Sequence, residues 1–293
     1  MPFDLMEIDR LGFVPMNHVR QQPIAARALK VFDERGEEIP GYHHIVRGDT
    51  GKTIRIATDS YTVVQNDFAI DTVEAALRAS SLDLADLRFG IDYSHDGARM
   101  FAQWLLPAHT AQVKSGVEAT LRLILLNSYD GSTALHCRSG SYNWACANQA
   151  VSGREFSSFR FTHTGEIDLP SAVARLTQAA EEHAEQTRRW QAWPQIAVSD
   201  EQACRVLASL PQASESQIDA LAHAWLRARD DADSPQSGPN AWCLFQVLTA
   251  WATHGIGTDA GRQRAQRSWD RQKRVAQVID SDLWHELVDE EAA

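Results

Sequence analysis

The run Leu121-Arg-Leu-Ile-Leu-Leu126 passes directly into Asn127-Ser-Tyr-Asp-Gly-Ser132, and no other stretch limits the fold as tightly. Asp-Gly between two β-type runs is a strong short-range hairpin signal, because glycine enters φ > 0 without steric cost. The spacing predicts a hairpin of Thr120–Ser128 and Ser132–Arg138 joined by Tyr129-Asp130-Gly131. A half-exposed strand would alternate. This one is apolar nearly throughout, so it is expected at the centre of a sheet with both faces covered. A second hairpin of the same design, Leu87–Ser94 with Ala98–Leu106, turns at His95-Asp96-Gly97.

Further signals surround this pair. Tyr42–Arg47 and Lys52–Thr58 flank the turn cluster Gly48-Asp-Thr-Gly51 and read as another hairpin, with a short β run at Tyr61–Gln65 and a last β segment at Arg154–His163. Asp67 is placed to cap a helix reaching Ser80. After Thr164-Gly165 the period becomes helical. Ser171 is expected to cap a helix to Trp190, Ser199-x-x-Gln202 and Ser214-x-x-Gln217 are capping boxes, and Asn240 caps a helix that Gly255 and Gly257 stop. A short helix around Leu283–Leu287 ends the chain. The expected class is therefore α+β: an antiparallel β-rich N-terminal half with hairpins and a packing helix, then a helical C-terminal half. Residues 1–40 read as an arm with little structure of its own, 41–190 as the α+β core and 191–293 as the helical region.

Net charge is −11, which argues against a protein that coats nucleic acid over its whole surface. Charge is unevenly spread, however. Between Gly261 and Arg274 stand six bases, Arg262, Arg264, Arg267, Arg271, Lys273 and Arg274, against the single acid Asp270. Such a segment can hold phosphate despite the overall sign, because fields are screened beyond about 8 to 10 Å. With glycine at its mouth it reads as a mobile arm rather than a packed helix. It could be a solvated face, a phosphate contact with Trp269 stacking on a base, or a counter-charge for the acidic tail. Cys137, Cys146, Cys204 and Cys243 lack zinc spacing and read as small buried residues. No apolar run reaches membrane-helix length and the N-terminus lacks a signal-peptide core, so a cytoplasmic protein is expected, with no membrane partner. No cofactor or metal is expected: His43-His44 and His136-Cys137 are adjacent pairs that face opposite sides of a strand. Catalytic motifs are lacking, and Asp92, His95 and Asp96 near the first hairpin read as turn residues rather than a nuclease-like acidic cluster.

The segment from Arg122 through Ser132 to Tyr142-Asn-Trp-Ala-Cys-Ala-Asn148 resembles the phage- and plasmid-type proteins that carry domain of unknown function 932. In that family a hydrophobic strand leads into Asn-Ser-(His or Tyr)-Asp-Gly-(Ser or Thr), then an aromatic residue shortly before Cys-x-Asn. The matching positions are Asn127, Ser128, Tyr129, Asp130, Gly131 and Ser132, then Cys146 and Asn148. The family commonly has Arg two residues before the Cys, where this chain has Trp144. The loop has two readings: a turn whose Asn127 and Ser128 satisfy nearby backbone with Cys146 in the core, or a ligand contact.

The resemblance implies a mobile-element protein. The strand order is also similar to the hairpin-plus-helix plan of phage single-strand annealing proteins, an analogy of fold alone. The expected activity is nucleic-acid binding, with single-stranded DNA favoured, by an oligomer whose Arg122, Arg138, Arg154, Arg160 and basic segment track phosphates. The alternative is an anti-defence or anti-restriction module whose acidic surface binds a host protein.

Overall fold

The computed structural model describes residues 13–16, 22–143, 159–161, 169–255 and 264–289. Its strands are β1 (Val14–Pro15), β2 (Ala26–Phe32), β3 (Glu38–Arg47), β4 (Thr53–Thr58), β5 (Arg88–Ser94), β6 (Arg99–Lys114), β7 (Val117–Ser128), β8 (Leu135–Asn143) and β9 (Phe159–Phe161). The helices are α1 (Asn66–Ala79), α2 (Leu169–Ala192), α3 (Asp200–Ala208), α4 (Glu215–Asp230), α5 (Ala241–His254), α6 (Arg264–Ile279) and α7 (Asp282–Asp289). This is the expected α+β order, a β-rich half followed by a helical one.

The strands form two antiparallel sheets, one of six strands in the order β1-β5-β6-β7-β8-β9 and one of three in the order β2-β3-β4. β7 lies inside the large sheet, as its apolar run requires. Its odd-numbered residues Leu121, Leu123 and Leu125 pack with Trp104 and Leu106 under Ile70, Val73 and Leu77 of α1 and Leu176 of α2. The opposite face holds a smaller cluster of Phe101, Ile124 and Leu126. β6 slips register between Leu106 and Thr110, around Pro107, a residue that cannot donate to a ladder. That bulge frees the carbonyl of His109, which accepts from His183 Nε2 of α2 at 3.1 Å, while Ser141 of β8 faces Nδ1 at 2.8 Å. A carbonyl only accepts, so Nε2 carries the proton and Nδ1 accepts from the Ser141 hydroxyl. Burial holds the His183 imidazole down at about 4.

The helical half packs around α5, which is buried on nearly every side. Trp190, Trp193, Trp242, Phe245 and Trp284 meet there in tilted and edge-on contacts of 5.1 to 6.5 Å. Val113, Val117 and Ala119, from the far ends of β6 and β7, join the same core and tie the two halves together. Both serine capping boxes close, and Asn240 caps α5. Among the described residues, no helix is long and apolar enough to cross a membrane.

Several expectations change. The segment read as an arm contributes β1, β2 and the start of β3. Tyr61–Gln65 is not a strand, and α1 begins at Asn66 with Gln65 at its cap position, so Asp67 sits inside the first turn. Ser171 likewise lies inside α2, which starts two residues earlier. The basic segment is no mobile arm where it is described, because Arg264–Ile279 is helical. Cys204 is exposed, whereas Cys137 and Cys243 are buried as expected. Trp144, Cys146, Asn148, Arg154, Gly257 and Arg262 lie outside the described residues, and for Arg160, Arg264, Arg267 and Trp269 the backbone alone is described.

Candidate functional site

The Asn127–Ser132 loop sits where the small sheet meets the large one. Its backbone turns at Gly131 with φ +71°, and a Cβ there would overlap the Arg55 guanidinium. Ser128 closes the turn locally: its Oγ donates to the Thr133 carbonyl and accepts from the Thr133 amide at 2.7 and 3.0 Å. The Asp130 carboxylate accepts from Arg99 Nε at 2.7 Å and from the Ser132 amide at 2.9 Å. Partial burial acts to raise this carboxyl, but the Ser132 and Arg99 bonds outweigh it and hold it below its ordinary value.

The remaining bonds reach across the chain. Tyr129, almost wholly buried, donates its hydroxyl to the Ile24 carbonyl at 2.8 Å and accepts from the Asn66 amide at 3.0 Å. Burial pushes this phenol far up. Asn127 Nδ2 donates to the Val64 carbonyl and to Asn66 Oδ1, both at 2.8 Å. Tyr61 donates to the Ser128 carbonyl at 2.9 Å, and Arg55 Nη1 to the Asp130 carbonyl at 2.7 Å. Gln65 meets the backbone amide and carbonyl of Ala26 at 3.1 and 2.8 Å, as a neighbouring strand would. Around these bonds Tyr129 packs with Ala26, Ile45 and Ala57 on the inner face of the small sheet.

The other Asp-Gly turn makes a second anchor. His95, Asp96 and Gly97 all have positive φ, Arg47 Nη1 donates to the Asp96 carbonyl at 2.6 Å, and the Asp96 carboxylate pairs with Lys52. Asp92 instead accepts from the Tyr93 amide. Asp96 thus ties the first hairpin to the small sheet, whereas Asp92 bonds within its own strand. In the Asn127–Ser132 segment only Gly131 and Ser132 are exposed.

The predicted cations divide into two groups, and Arg88, which was not predicted, lies with the first. Arg122 pairs across the ladder with Leu105 and Gly140, Arg88 with Leu105, Arg138 with Ile124, and Arg160 with His136. Because strand side chains alternate, the positions of Arg88, Arg122, Arg138 and Arg160 share the face opposite α1 and α2. Arg122 and Arg88 are buried there, so neither is a surface contact; Arg122 donates to Gln103 at 3.2 Å. Arg138 is half-buried, with its Nε 3.0 Å from His136 Nε2. Phe13 lies against Gly90 on the same face.

In the second group, Arg271 is buried and donates Nε to the Ala252 carbonyl at 3.1 Å in the last turn of α5. A cation suits that end of a helix, where carbonyls lack partners and the dipole is negative. Arg271 and Arg274 both lie over the Trp251 ring, at 6.0 and 5.6 Å. Lys273 pairs with Asp270 at 3.2 Å. Through these contacts Arg271 and Arg274 pack α6 against α5. Arg47, Arg55, Arg88 and Arg99 were missed by the sequence reading; opposite register on the two Asp-Gly hairpins was the signal for Arg88, whereas Arg47 and Arg55 answer to distant carbonyls and Arg99 to the Asp130 carboxylate.

The family model described as a domain of unknown function, number 932, matches residues 54–277. The chain belongs to that family. The matched span of the domain-932 model takes in the junction loop, the arginine-bearing face and most of the helical half, while β1, β2 and β3 precede it. No curated protein and no solved structure matches the chain.

Proposed function

We propose that this chain binds nucleic acid, with single-stranded DNA the favoured form, in the recombination or replication of a phage or plasmid. The observation that supports this reading is the placement of Arg88, Arg122, Arg138 and Arg160 on one face of the six-stranded sheet, while the other face is apolar and packed under α1 and α2. Half-buried Arg138 and His136 are the groups that would meet a phosphate chain, and buried Arg122 with Gln103 stiffens the strands behind them. A cationic sheet face with aromatic neighbours is a common platform for single strands. The same reading leaves α6 a structural helix from Arg271 onward.

The test is fluorescence polarisation with labelled single-stranded and duplex oligonucleotides at about 50 and 200 mM salt, the range over which phosphate contacts weaken steeply. Single-strand binding at low salt is expected, with Arg138→Ala lowering affinity and reducing the salt slope by about one ion. No binding at about 50 mM would sink the proposal. A second reading, a module that binds a host protein, draws on the net charge of −11 and on the exposed apolar side chains of the small sheet.

A further inference from the structure

Helices α3 and α7 meet and leave between them a cleft of about 330 Å³ that opens to solvent. Its α3 wall carries Gln202, Arg205 and Val206, and its α7 wall carries Leu283, Glu286 and Leu287. Each set repeats the same spacing, i, i+3 and i+4, which puts three side chains on one face of a helix. Val206 is buried in the helical core, and half-buried Leu283 and Leu287 pack against that core, so the floor of the cleft is apolar. The polar groups above it are divided. Arg205 stands on one wall and Glu286 on the other, both exposed, and among the described residues neither has an ion-pair partner. Gln202 is oriented by its own capping box: Oε1 accepts from the Ser199 amide at 2.9 Å, which leaves the Nε2 group to donate.

We infer that this cleft binds a small zwitterion with an apolar side chain, a free aliphatic α-amino acid. The division of charge selects that class. The Arg205 guanidinium and Gln202 Nε2, on the α3 wall, meet the carboxylate of the ligand, and Glu286 on the α7 wall meets its ammonium group. Both are charge-assisted hydrogen bonds, the stronger kind. The aliphatic side chain lies on Val206, Leu283 and Leu287. Ligands with a single charge fit less well. A plain carboxylate faces Glu286 without compensation, a plain amine faces Arg205, and a phosphate chain is repelled by Glu286. That last repulsion separates the cleft from the arginine-bearing face of the large sheet. Size agrees with the assignment, because a volume near 300 Å³ is at the lower end for ligand sites and suits a small molecule rather than a cofactor. With both charges solvated the binding is weak, with a dissociation constant of about 1 to 10 mM.

The experiment is an NMR titration of the isotope-labelled full chain with L-leucine in low-salt buffer, up to about 50 mM, a ceiling set by the weak binding. Saturable shifts centred on the backbone amides of α3 and α7 are expected. Three analogues each remove one part of the ligand: isocaproate lacks the ammonium group, isoamylamine lacks the carboxylate and glycine lacks the side chain. Each is expected to bind about three- to tenfold more weakly than leucine. Arg205→Met and Glu286→Gln are each expected to weaken leucine binding by a similar factor. Both replace exposed side chains, so the rest of the spectrum stays that of the folded wild type. No saturable shift with leucine, or shifts centred away from α3 and α7, overturns the inference. An analogue that binds as tightly as leucine, or a leucine affinity unchanged in either variant, overturns it too.

Discussion

The six-stranded sheet is buried on its α1 and α2 face and over part of the other, and the three-stranded sheet is buried mainly on one. In the large sheet α1 and α2 close one side, and Phe101, Ile124, Leu126 and Arg122 on the other are also shut off from solvent. In the small sheet, by contrast, Ala26, Ile45 and Ala57 find a core supplied by a loop of the larger sheet, and Val46 is buried beside Ile45. One sheet carries the stability of the body; the other is fastened to it by two turns and leaves apolar side chains exposed.

That contrast sets the order of expected effects. The largest belongs to Leu123, fully buried in β7: Leu123→Ala should cost about 3 to 5 kcal/mol in chemical denaturation, since little around it can collapse into the void. Next comes the latch between α2 and the β6 bulge. The folded His183 pKa lies at about 4, below the ordinary value of 6.5, so between these limits the unfolded chain binds the proton and the folded one does not. Stability is therefore highest above about pH 6.5 and falls by roughly 3 kcal/mol as pH drops towards 4. Urea titrations across this window should show that loss in wild type and a flatter profile in His183→Gln. If the two profiles coincide, His183 is not the group that titrates.

A third effect probes the fastening itself. Tyr129→Phe keeps the ring and removes the hydroxyl, leaving the Asn66 amide without its acceptor, at a cost of about 1 to 3 kcal/mol. Hydrogen exchange should then rise in β2–β4 more than in β7, because the small sheet loses an anchor. Uniform loosening of both sheets would mean that they unfold as one unit. The smallest effect is expected at Ile56, where Ile56→Ser should change stability by about 0.5 kcal/mol or less, measured in the same urea titration. A loss as large as that of Leu123→Ala would erase the distinction between the sheets.

The hairpins were legible because their cause is local. Asp96-Gly97 and Asp130-Gly131 carry their own turn chemistry, and Ser199 and Ser214 meet capping partners three residues on. What stayed hidden depends on distant partners. Tyr129 reads as a turn residue until Ile24 and Asn66 are brought to it. Likewise, Arg271 and Arg274 read as a phosphate-seeking arm until the C-terminal turn of α5 supplies a carbonyl and an indole ring. The burial of Arg122 had no local sign, because a lone cation in an apolar strand looks the same whether it is covered or presented. The exposed apolar side chains of the small sheet lay within strands that the sequence reading either recognised, in β3 and β4, or took for an arm, in β2.

The bond from Tyr129 to Ile24 spans 105 residues, and this separation has a consequence for synthesis. On a ribosome the strands of the small sheet emerge first, and about 70 residues follow before Tyr129 can reach them, a wait of roughly 4 to 14 s at ordinary elongation rates. Throughout that interval both faces of the small sheet lack cover, including the alanine-lined side that ends up beneath Tyr129. The growing chain is then most open to capture by a chaperone or by a neighbouring nascent chain. Ribosome profiling of chaperone-bound nascent chains should place peak occupancy before the codons of the junction loop and show release soon after them.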